Sequence, residues 1–163
     1  MHQAQDCLSK LTVPNSLLDL ECWAHRRLQG RGLIHQRAIA AATSSPYRNP
    51  ARVYEILAAM ADHYWPMFYA PDCRAEATLR WEESCAALRV YCSHVGMAAR
   101  TPQTAAKYAL LHEGLPRVLT MQIKGSSSFD PRTCLRIYFA PMPDLRSLLV
   151  GHLPGHLPNK QSN

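Results

Sequence analysis

The sharpest alternation of apolar and polar positions falls late in the chain. Leu135, Ile137 and Phe139 alternate with Arg136 and Tyr138. Period two predicts a strand with one apolar face and one basic, aromatic face. Pro141 and Pro143 are expected to end it, since proline has no N–H to give a ladder. Leu148, Leu149 and Val150 form a second apolar run that stops at Gly151, so the two runs predict an antiparallel hairpin. The following GHLPGHLPN cannot be a regular helix, because Pro154 and Pro158 recur at four-residue spacing; it reads as a repeated turn that closes the sheet edge. Upstream, residues 107–112 and 117–124 predict another hairpin around Glu113-Gly114, with Leu119, Met121 and Ile123 alternating with Thr120, Gln122 and Lys124. Val90-Tyr91-Cys92 suggests a first strand, and residues 125–128 a flexible link.

The first half has a different period. After a short helical piece over residues 1–13, Pro14-Asn15-Ser16 supplies a helix start. Leu17, Leu20, Ala24 and Leu28 then follow at three- and four-residue spacing, up to a stop at Gly30-Arg31-Gly32. A second short helix is expected over residues 33–42. Residues 43–50, rich in Ser, Pro and Asn, mark an internal boundary, and Asn49-Pro50 opens the next helix. Val53, Ile56, Leu57, Met60 and Tyr64 are its apolar stripe, and Trp65-Pro66 its expected end. Another helix follows Pro71-Asp72, with Ala75, Leu79, Ser84-Cys85 and Leu88 toward one side.

These patterns predict an α+β protein, with N-terminal helices packed on one face of a C-terminal four- to five-stranded antiparallel sheet. A helical segment over residues 1–45 precedes an α+β domain over 46–163. Within that domain, helices occupy 50–88, the sheet about 89–153, and a turn-rich tail 151–163.

Charge sharpens this picture. The net charge is +6, yet residues 1–88 hold nine Lys/Arg against nine Asp/Glu, and residues 89–163 nine against three. The excess lies in the half that carries the sheet, which fits an anionic partner such as nucleic acid. Charged residues make up 18%, below the ~25% usual for globular proteins. That shortfall fits a protein partner or an oligomer covering some surface. Six cysteines without a CxxC pair, no secretory pattern and no long apolar run point to a cytoplasmic protein with free, mostly buried thiols and no membrane partner.

Candidate chemistry gathers on the polar sheet face. Lys124, Arg132, Arg136 and Tyr138 are expected to bind phosphate and stack a base. His152 and His156, with Arg136, are the candidates for metal-independent ribonuclease chemistry, in which imidazole serves as general acid or base. Pro154 removes the helical geometry in which the two histidines would share a metal, so no metal site is assigned. Cys22 with His25, and Cys92 with His94, have no partner pair at zinc spacing, and Cys92 has no assignable base. Trp23, Trp65 and Trp81 read as core or helix contacts. GxGxxG, P-loop, HExxH and GxSxG motifs are all absent, so no cofactor is implied.

The residues GSSSFDPRTCLRIYF, followed by LLVGHLPGHLPN, resemble the end of a group of small, uncharacterised bacterial proteins, over roughly residues 106–160. A fainter similarity is to RelE-type toxins. It rests on Arg136 in a late strand and a histidine after the last hairpin, and it implies a compact ribonuclease. The reading taken forward is nucleic-acid binding through the basic, aromatic sheet face. The alternatives are a toxin-like ribonuclease and a protein-interaction module without catalysis.

Overall fold

A computed structural model describes residues 12–96 and 101–157. The helical piece expected over 1–13 lies almost wholly outside the described residues, as does the tail beyond Leu157. A 3₁₀ turn over Leu17–Asp19 is capped by the Ser16 hydroxyl, which accepts the Leu18 N–H, and leads into α1 (Leu20–Arg27). β1 (Gly32–Ile34) and α2 (Gln36–Thr43) follow, then α3 (Pro50–Ala59), a π turn (Met60–Tyr64) and α4 (Trp65–Tyr69) as one rod. Next come α5 (Arg74–Leu88), β2 (Tyr91–His94) and the short α6 (Ala105–Tyr108). The remaining strands are β3 (Ala109–His112), β4 (Leu115–Val118), β5 (Met121–Lys124), β6 (Arg136–Met142) and β7 (Ser147–His152).

The described strands make a five-stranded sheet in the order β1-β7-β6-β5-β2 and a separate β3-β4 ribbon. The α+β class holds, but the sheet is mixed rather than wholly antiparallel, because β1 runs parallel to β7. Leu33 and Ile34, expected to begin a helix, are instead extended. The helix starts only after His35, whose ring Nδ1 accepts the Arg37 N–H as an N-cap. Three residues are too short a run to show period two. The loop at the expected boundary is present, but the core continues across it: Leu17, Leu20, Trp23 and Leu28 share one buried cluster with Ile137, Phe139 and Val150.

The stripe Val53, Ile56, Leu57, Met60 and Tyr64 is buried as its period predicts. Tyr64 sets its ring edge-on to Phe139 at 5.3 Å and to Trp81 at 5.2 Å, which docks the rod on the sheet. The rod passes Pro66 rather than ending there. A proline in an α-helix clashes with the carbonyl four residues back, and the π turn relieves this by widening the helix just before the ring. On α5 the buried side is Ala77, Trp81, Cys85 and Leu88; Leu79 is exposed.

The second arm of the upstream hairpin is not one strand. Glu113 and Gly114 both take positive φ, as a two-residue hairpin turn requires, but β4 ends at Val118. The chain then turns at Leu119 and Thr120 and joins the main sheet as β5 beside β2 and β6. Pro141 does not end β6, because it lies past the end of β5, where β6 has β7 alone beside it.

The freed ribbon lies over the sheet face opposite the helices. Leu110 and Leu119 join Tyr138, Ala140, Met142 and Leu149 in a second core. Side chains hold the ribbon in place. Arg37 donates to the carbonyls of Ala109 and Lys107 at 2.6 Å each, and His35 Nε2 donates to that of Leu111 at 2.9 Å. Arg117 pairs with Asp144 through two bonds of 2.7 Å.

Gly151 is what allows this close approach. A Cβ there would stand 2.5 Å from Leu119 Cδ2 and 2.6 Å from Leu110 Cδ2. Gly151→Ala is expected to destabilise the protein by about 1–3 kcal/mol, the usual effect of overpacking. Urea unfolding measures this; an unchanged midpoint would mean that the ribbon yields freely.

Candidate functional site

The predicted site residues fall into two rows across the sheet. Tyr91, Lys124 and Arg136 are register partners on β2, β5 and β6, so their side chains share a face at one end of the sheet. Ser93, Gln122, Tyr138 and His152 make the next row. The sheet face was expected to be open, and this is corrected. Tyr138 is 1% exposed, Arg136 6% and Gln122 8%, whereas Lys124 is exposed.

The cover over the second row is the ribbon together with the tail. After His152 the tail continues along β6, and the Arg136 N–H donates to the Pro154 carbonyl at 2.7 Å. It then folds over the face, and the Leu157 N–H donates to the Tyr138 hydroxyl at 3.1 Å while Leu157 enters the second core. Burial drives the Tyr138 phenol upward, so it stays protonated as a packing group with a satisfied oxygen.

Arg136 lies at the border of this cover. Its Nη1 donates to the carbonyls of Ser126 and Leu135, its buried Nε has no partner, and among the described residues no carboxylate pairs with it. The Ser126 loop, expected to be a flexible link, is tied down. Gly125 N–H donates to the Leu135 carbonyl, Ser126 Oγ to the Thr133 carbonyl, and the Ser128 hydroxyl bonds that of Thr133 at 2.9 Å. Arg132 is exposed but engaged, with its guanidinium on Asp130 at 2.8 Å. That contact holds the Asp130 carboxyl well down, at about 2.

The histidines are not equivalent. Burial, the nearby Arg37 and His156 push the His152 imidazole down to about 4, so it is neutral at neutral pH in a half-buried position. His156 is lowered first by burial and also by Arg136 and Lys124, which places it in the field of both cations. Its ring lies 5.0 Å from that of Phe129, which is 61% exposed. Among the described residues no three His, Cys, Asp or Glu groups are close enough to hold a metal. Cys92 is driven up to about 12 by burial and by Cys85, so it is a protonated thiol rather than a nucleophile. Trp23 and Trp81 are core, while Trp65 carries Arg31 over its ring at 4.4 Å.

Sequence reasoning missed several cations and rings that converge on the same end of the sheet. Arg48 is exposed on the loop whose N–H bonds the Arg132 carbonyl. Arg89 is exposed just before Tyr91, where Arg52 caps the end of α5 by donating to the carbonyls of Leu88 and Arg89. Tyr91 is 69% exposed beside Lys124. Arg48 and Arg89 gave no signal in the sequence, since the charge count of the first 88 residues is neutral and Arg89 stands alone between helix and strand. The exposed cations therefore form a rim at the sheet end rather than lining the sheet face.

Surface hollows lie elsewhere, among them one of ≈ 490 Å³ lined by Glu21, His25, Leu33 and His112, and one of ≈ 340 Å³ lined by Arg31, Trp65, Cys73 and Glu76. Neither pairs a nucleophile with a base held by a third group. No helix among the described residues is long and apolar enough to cross a membrane. No protein-family model, curated protein or solved structure matches the chain.

His152 gives the site a pH signature. Above about pH 6.5 the imidazole is neutral whether the chain is folded or not. As pH falls from 6.5 to 4, the unfolded chain takes up a proton that the folded chain refuses, so stability drops by on the order of 3 kcal/mol. Urea unfolding at pH 7 and pH 4.5 should show a smaller fall for His152→Gln than for the parent. Equal falls would mean that His152 is solvated.

Proposed function

We propose that the protein binds nucleic acid through the basic rim at the end of its sheet. Lys124, Arg48, Arg89 and Arg132 would meet phosphates, with Arg136 adding charge from just beneath the surface. The observation that carries this reading is Arg136. A buried guanidinium is disfavoured by several kcal/mol unless something offsets it, and among the described residues only carbonyls do. An unopposed positive charge under a rim of exposed cations produces a field suited to a polyanion. Tyr138, named as a stacking residue from the sequence, instead supports the tail that covers the face.

A fluorescein-labelled oligothymidylate titrated by anisotropy tests this reading. Affinity should fall steeply between about 50 and about 200 mM salt, and Lys124→Ala should reduce the log–log salt slope by about one. Arg136→Met should weaken binding at every salt concentration while leaving the urea midpoint equal or higher, since it removes a buried charge that no carboxylate among the described residues offsets. Salt-independent binding, or an Arg136→Met variant that binds like the parent, overturns the proposal.

A second reading, a protein-interaction module, is favoured by the outer side of the ribbon. Ala109, Leu111, Pro116 and Val118 stand exposed there on paired positions. It predicts a solution mass above that of one chain, reduced to one chain by Leu111→Lys. Light scattering at a fixed concentration decides this.

A further inference from the structure

The exposed rings on the rim narrow the class of nucleic acid. This step rests on the reading of the rim as a nucleic-acid site and goes further than charge alone. Large aromatic side chains on a surface are normally covered, because each removes 150–250 Å² from water when buried. Tyr91 and Phe129 are 69% and 61% exposed, and both lie among the cations. Tyr91 faces Lys124 across the β2–β5 pair. Phe129 leans on His156, which feels the charge of both Lys124 and Arg136. Neighbouring strands are ~4.8 Å apart, so the register row Tyr91–Lys124–Arg136 spans about 10 Å with the cations on one side of Tyr91. The loop from Ser126 to Thr133 is pinned by its own hydrogen bonds, and it rests Phe129 against His156.

We propose that this rim takes single-stranded nucleic acid, with unpaired bases stacked on Tyr91 and Phe129 and the intervening phosphates on Lys124. In a duplex the faces of the bases are stacked on one another and cannot reach an exposed ring, so a duplex would use only the charges. A free strand uses both, and it does so without regard to sequence because every base has a π-face.

The experiment compares labelled oligothymidylate with the same strand annealed to oligoadenylate, at one salt concentration, for the whole chain and for Tyr91→Ala, Phe129→Ala and Lys124→Ala. The single strand should bind more tightly than the duplex. Tyr91→Ala and Phe129→Ala should each weaken single-strand binding on the order of ten- to a hundred-fold. Neither removes a charge, so the salt slope should stay that of the parent, whereas Lys124→Ala should lower it. Circular dichroism checks that the variants fold, which substitutions at such exposed rings should allow. Equal affinity for both forms overturns the inference and leaves the phosphate reading standing. So does loss of binding in Lys124→Ala alone, with the ring variants binding like the parent. Failure of the parent to bind either form overturns both.

Discussion

The hairpin β6–β7 has no side left for water, and the rest of the molecule follows from that. Ile137, Phe139, Leu148 and Val150 face the helices, while Tyr138, Ala140, Met142 and Leu149 face the ribbon and tail. A strand pair buried on both faces needs two covers. The helical rod supplies one as a single rigid element. The other is assembled from β3–β4, Leu119 and Leu157, and it is anchored by side chains from α2 and by the Arg117–Asp144 pair.

The second cover does not reach the end of the sheet, and the charge collects where it stops. Lys124 stands beyond it in solvent, Arg136 just beneath its edge and Tyr138 fully under it. The register row Tyr91–Lys124–Arg136 thus grades from wet to dry across three strands. A guanidinium at such a border is stronger in its field than one in water, because less solvent screens it. The same residue is a liability to the fold, held by carbonyls and lacking a carboxylate among the described residues. Local rules tend to be broken in this way where a surface is shaped by something other than stability.

What could be read from the sequence was direction. Period two placed Ile137 and Phe139 opposite Arg136 and Tyr138, and the helical stripe from Val53 to Tyr64 pointed to the core. What could not be read was whether the far side of β6 is wet. The residues that dry it, Leu110, Leu119 and Leu157, are ordinary leucines in a ribbon and a tail, and no local pattern assigns them to a distant face. The same limit hid Tyr91, Phe129, Arg48 and Arg89, which meet only through strand register and loop packing. It also hid β1, whose three residues are defined by a partner more than a hundred positions away.

That pairing has a consequence for how the chain is made. The edge strand Gly32–Ile34 docks on residues 148–150, and Ser147 reaches back to the Gly30 carbonyl. Until those late residues leave the ribosome, the early helices and the apolar side of β5 have no hairpin to rest on. Contacts so far apart in sequence are slow to form. The nascent chain therefore carries its greasiest surfaces bare until residues 148–150 emerge, and the cell's chaperones have that interval in which to meet it.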